Sequence, residues 1–152
     1  MLVADGTGRN PMPEFWDASS VVRLCVPGQV TRSARVTLEQ FPPVIWWLTP
    51  VEVHSALARL KRSGELSEVA HKASSERLAT IRESWRQVLP SEPVRDLATT
   101  LLDAYPLKAA DALPLAAALV WAKQQPRGRV FICNDVALWR AARQAGFDVR
   151  AV

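Results

Sequence analysis

The apolar positions of this chain alternate between short runs and helical stripes from one end to the other. Five short runs predict strands: Phe15–Trp16, Val44–Leu48 (VIWWL), Gln87–Leu89, Arg129–Cys133 (RVFIC) and Phe147–Val152. Val44–Leu48 has no polar position, as expected of a parallel strand covered on both faces. Between the runs, apolar residues recur at helical spacing. Helices are predicted for SSVVRLCV before Pro27-Gly28, for Arg32–Phe41 before Pro42-Pro43, from Thr49 to Gly64, and over Ser67–Trp85, Val94–Ala104 and Asp135–Ala145. Leu107–Trp121 (LKAADALPLAAALVW) stands apart, because its only carboxylate is Asp111 and nearly every side is apolar. Such a helix has to be buried. Strands separated by helices predict an α/β fold of βαβ units, with a mostly parallel sheet covered on both faces.

Length bounds this picture to one domain, since 152 residues support one substantial core and fall short of two ordinary ones. We assign residues 12–152 to it and residues 1–11 to a flexible leader. No apolar run reaches the roughly 18–20 residues of a membrane helix, and MLVADGTGRNPM lacks the layout of a signal peptide. A cytoplasmic location is the default expectation. Cys25 and Cys133 sit in apolar stretches without a CxxC spacing, and read as buried reduced thiols.

The carboxylates change the picture most. Asp17 ends the first strand and Asp135 follows the RVFIC strand. Glu52 lies in the first turn of the helix after VIWWL, and Asp111 opens the buried helix. In an open α/β sheet, ligands bind beyond the carboxyl ends of the strands, where the strand order reverses. If the first and fourth strands are neighbours, all four acids border that crevice. Four carboxylates in one pocket repel one another, and a hard divalent cation such as Mg²⁺ or Mn²⁺ relieves the repulsion. Each acid also has a purely structural reading. Thr49-Pro50-Val51-Glu52 matches a capping box with proline at the first helical position. Asp17, Asp111 and Asp135 could each satisfy backbone N–H groups at a helix start.

Four blocks, in order, resemble the PIN-domain nucleases: FWDASSVVRL from Phe15, TPVEVHSALARL from Thr49, LKAADALPLAAAL from Leu107 and DVALWRAARQAGFDV from Asp135. Together they span residues 15–149, and the subgroup they most resemble is the VapC-type toxins of bacterial toxin–antitoxin pairs. The resemblance implies a three-layer α/β/α sandwich, a Mg²⁺- or Mn²⁺-dependent ribonuclease acting on RNA, a homodimer, and a separate antitoxin that neutralises it. It further implies that Asp17, Glu52, Asp111 and Asp135 form the acidic quartet that holds metal and positions the attacking water. Two positions depart from the family pattern. Pro114 stands where a polar residue is frequent, and is tolerable if the helix begins close to Asp111. Cys133 replaces a hydroxyl residue, for which Asn134 is a partial substitute.

The remaining features shift the weights modestly. Lysine and arginine number 19 against 15 acids, a net charge of +4 that agrees with a nucleic-acid partner. Setting the four acids aside would roughly double that excess over the rest of the surface. Ser19 and Ser20 read as helix caps before phosphate contacts, and Arg23 as a surface residue. Arg59, Lys61 and Arg62 suit a helix C-terminus. His54 and His71 have no partners at zinc spacing. Trp46-Trp47 suggests core or interface. A P-loop or Rossmann enzyme is excluded by the lack of a glycine-rich turn after the first strand. A phosphoaspartate phosphatase would have a second aspartate where Ser19 stands. The rival to a nuclease is a catalytically degenerate domain that binds protein or RNA.

Overall fold

Two residues, Phe15 and Trp16, make the central strand of the sheet, and everything else is arranged about them. The structure is a computed structural model that describes residues 12–152, so the expected leader lies outside the described residues. The strands are β1 (Phe15–Trp16), β2 (Val44–Trp46), β3 (Arg86–Val88), β4 (Val130–Ile132) and β5 (Asp148–Arg150). The helices are α1 (Ala18–Cys25), α2 (Arg32–Gln40), α3 (Thr49–Arg62), α4 (Glu68–Arg82), α5 (Glu92–Ala104), α6 (Ala109–Trp121) and α7 (Val136–Ala145). All strand pairs are parallel and the order is β3-β2-β1-β4-β5. The chain therefore builds outward from β1 to β3, crosses back through α5 and α6, and adds β4 on the other side of β1. The reversal of strand order falls between β1 and β4.

The two-residue period of the strands divides the core into two layers. Phe15, Val44, Trp46, Phe131 and Cys133 face the layer of α5, α6 and α7. Trp16, Ile45 and Ile132 face the opposite layer, with Val21, Leu24, Val53, Leu57 and Leu78 of α1, α3 and α4. Phe15 stacks on Phe131 with ring centroids 5.3 Å apart, so the two central strands are packed as well as hydrogen-bonded. This is the expected three-layer, PIN-like α/β/α sandwich.

Helix α6 is buried from Pro114 to Leu119, as its composition requires. Its start differs from the expectation for Pro114. The helix begins at Ala109, so Pro114 is well inside it, past the amides that lack partners anyway. Ala110, whose carbonyl loses its helical partner to Pro114, is an exposed residue. Trp46 is core, whereas Trp47 is 47% exposed and turns outward as β2 ends. Both cysteines are free and buried, one in each layer, as expected. Among the described residues, no helix is long and apolar enough to cross a membrane.

Candidate functional site

Asp17, Glu52 and Asp135 follow the parallel strands β1, β2 and β4 and so stand toward one end of the sheet, while Asp111 opens α6. Asp17 follows β1 directly and is the N-cap of α1, with Oδ2 accepting from the Ser19 backbone N–H at 3.1 Å and from Ser19 Oγ at 2.7 Å. Asp135 follows β4 and is the N-cap of α7, Oδ1 accepting from the Leu138 N–H at 2.9 Å. The structural readings of these two are thus correct. In these bonds Asp17 uses Oδ2 and Asp135 uses Oδ1, and the Ala18 N–H also bonds to the Asp17 carboxylate.

Glu52 departs from its structural reading. Helix α3 starts at Thr49 with Leu48 as its N-cap, and no side chain caps it. The Glu52 N–H bonds to the Leu48 carbonyl at 3.1 Å. Thr49 Oγ1 is buried without a hydrogen-bond partner. The capping box suggested by the sequence does not form, and the Glu52 carboxylate is not engaged by it. Asp111 lies in the first turn of α6, half-buried, as the sequence placed it.

Electrostatics tie the four together. Burial raises the Asp17 carboxyl above its ordinary value, even though the Ser19 hydrogen bonds oppose it, and the Asp111 charge pushes it further. Glu52 is pushed up to about 7 by burial first, then by Asp17 and Asp111. Asp111 is raised by burial and by Asp135, against the opposing effect of Lys108. Asp111 is therefore the hub, interacting with each of the other three. No salt bridge among the described residues engages any of the four. Burial and mutual repulsion both disfavour the ionised forms of these acids.

The donor set suits a hard divalent ion, being made of carboxylate oxygens with no soft ligand free to compete. Cys133 is held otherwise. Its Sγ lies 3.3 Å from both the backbone N–H and the backbone carbonyl of Asp135, and burial pushes the thiol up to about 12. As the side chains stand, no three His, Cys, Asp or Glu among the described residues already form a metal-spaced cluster.

Three smaller expectations need correction. Ser19 does not cap α1, because Asp17 does; its hydroxyl donates to Asp17 Oδ2 and accepts from the Asn134 N–H at 3.0 Å. Ser20 is fully buried and donates to Asn134 Oδ1 at 2.7 Å. Asn134 does not offer its oxygen as a hydroxyl substitute, because Oδ1 accepts from Ser20 Oγ at 2.7 Å while the amide nitrogen donates to the Val152 carbonyl at 2.9 Å. Only the serine-rich start of α1 hinted at this network in the sequence, since its partners lie more than a hundred residues away.

Comparison with known proteins gives the fold a context. No protein-family model matches the chain, and no curated protein matches it in sequence. Three solved structures share its architecture. PAE2754 from Pyrobaculum aerophilum superposes with a TM-score of 0.63 at 19% identity, covering 91% of this chain and 90% of that one. FitAcB from Neisseria gonorrhoeae gives 0.56 at 18%, covering 88% and 96%. A toxin–antitoxin complex from Klebsiella pneumoniae gives 0.51 at 19%, covering 80% and 86%. At these identities the likeness carries the fold.

Proposed function

We propose that this protein is a divalent-metal-dependent endoribonuclease, the toxin of a toxin–antitoxin pair. One observation carries the reading: Asp17, Glu52, Asp111 and Asp135 interact electrostatically beyond the carboxyl ends of β1, β2 and β4, where the strand order reverses. The four PIN-like sequence blocks supply these same acids. The shared architecture with a toxin–antitoxin complex from Klebsiella pneumoniae supports the biological assignment. RNA is the substrate, a separate antitoxin the inhibitor, and a second copy of the chain the expected oligomeric partner.

In this reading Asp17, Asp111 and Asp135 hold Mg²⁺ or Mn²⁺, and Glu52 orients the attacking water. A bound ion supplies positive charge for the phosphodiester oxygens and acidifies water. The fixed carboxylates supply alignment. Asp17 is held to one orientation by Ser19 and Asp135 by its own helix cap. The surface excess of arginine and lysine favours a polyanionic substrate.

A second reading is a PIN-like module that has lost catalysis and binds RNA or protein. It is favoured by the thiol at Cys133, which is bonded to the Asp135 backbone and brings no oxygen to the site. Cleavage of RNA separates the two. Wild type is expected to cut RNA with Mn²⁺ or Mg²⁺, to stop with chelator, and to lose activity in Asp17→Asn while remaining folded. Full activity in Asp17→Asn would reject the site. A wild type that binds RNA without cutting it would favour the module.

A further inference from the structure

Asn134 joins two pieces of the site that the sequence keeps far apart. Its backbone N–H donates to Ser19 Oγ at 3.0 Å, and that hydroxyl donates to Asp17 Oδ2 at 2.7 Å. Its side-chain Oδ1 accepts from Ser20 Oγ at 2.7 Å, inside the first turn of α1. The amide nitrogen donates to the Val152 carbonyl at 2.9 Å, beyond the end of β5. Asn134 is immediately followed by Asp135. One residue thus ties the start of α1, which carries Asp17, to the loop that carries Asp135, and braces both against the chain after β5.

We propose that Asn134 is a positioning residue: through Ser19, Ser20 and the Val152 backbone it holds the Asp17-bearing start of α1 and the Asp135-bearing loop in fixed relation, so that both acids can serve one divalent cation. The inference rests on the reading of those acids as metal ligands. Asn134 touches no carboxylate with its side chain, so it acts through its neighbours. Its amide is suited to this, because one end accepts and the other donates. Alanine would free both ends and leave the fully buried Ser20 hydroxyl without its acceptor. Partners that orient ligands typically contribute 10–100-fold in metal affinity.

The test is Mn²⁺ binding by titration calorimetry, which reads the site without turnover. Wild type, Asn134→Ala, Ser20→Ala, the double variant and Leu78→Ala are compared, each first checked for a cooperative thermal transition. Leu78 belongs to the core layer of α1, α3 and α4, forms none of these hydrogen bonds, and serves as the control for general destabilisation. The expected result is a Kd weakened at least about 10-fold in Asn134→Ala and a smaller loss in Ser20→Ala. The double variant should match Asn134→Ala, since the two groups share one bond. Leu78→Ala should melt earlier and keep wild-type affinity. If Asn134→Ala does not fold, Ser20→Ala decides, and wild-type affinity there overturns the proposal. Wild-type affinity in a folded Asn134→Ala overturns it too, as does an equal loss in Leu78→Ala. A wild type that binds no Mn²⁺ rejects the metal site itself, a failure distinct from these.

Discussion

Thr49 and Glu52, spaced as a capping box, share no hydrogen bond. The backbone before α3 stays helical at Leu48, which places Thr49 inside the first turn with its hydroxyl buried and unpartnered. The geometry keeps Glu52 out of a capping role and leaves it under the influence of Asp17 and Asp111.

Thr49→Val should therefore stabilise the protein. The substitution keeps the β-branched shape and removes a hydroxyl buried without a partner, a gain of about 1 kcal/mol. Urea denaturation checks this. A destabilisation of similar size would mean that Thr49 caps the helix in solution.

The pH dependence of metal-free stability follows from the raised carboxylates. Folding raises the pKa of Asp17, Glu52 and Asp111, so the native state holds more protons than the unfolded state above about pH 4. Stability is therefore greatest below the unfolded values and falls as pH rises. The Glu52 contribution is lost between its ordinary 4.5 and about 7. Allowing for its partial exposure, that loss is about 1–2 kcal/mol. Thermal melts in chelator should show the decline, Glu52→Gln should flatten it, and saturating Mg²⁺ should offset it. Flat stability from pH 4.5 to 8 in chelator would contradict the coupling.

Gly146→Ala and Gly64→Ala separate strain from crowding. Gly146 has φ +112° after α7, and a Cβ there would stand 3.1 Å from Pro126 Cγ. Gly64 has φ +77° with nothing within 4 Å. Both substitutions pay conformational strain, about 1 kcal/mol, and Gly146→Ala should lose about a further 1 kcal/mol or more to contact. Equal losses in denaturant titrations would show that Pro126 yields freely.

The two thiols should be silent. Burial pushes Cys25 and Cys133 each up to about 12, so neither offers appreciable thiolate at pH 8. A colourimetric disulfide reagent should react with neither in the native protein and with both in guanidinium. Fast labelling of one thiol in native protein would show that its layer opens readily.

Much of the fold could be read from short-range pattern. All five strand runs overlap strands, although β3 starts one residue earlier, at Arg86, and VIWWL ends as a strand at Trp46, where Trp47 turns to solvent. The Asp135 cap and the Gly146 stop were visible because both depend on a few adjacent residues. The Thr49 box was misleading because its outcome depends on how Leu48 leaves β2. The position of Pro114 within α6 depended likewise on where the preceding loop releases the chain.

Alone, the sequence determined which segments are strands and helices and that α6 must be buried, because periodicity and side-chain chemistry act over a few residues. It also determined that acids would stand at helix starts and strand ends. Only the tertiary structure decided that β4 lies beside β1, which brings Asp135 and Asp17 to the same end of the sheet. It also decided that Ser20, Asn134 and Val152 would be bonded partners. Contacts across more than a hundred residues are set by the way two core layers close on the sheet, and no local pattern encodes them.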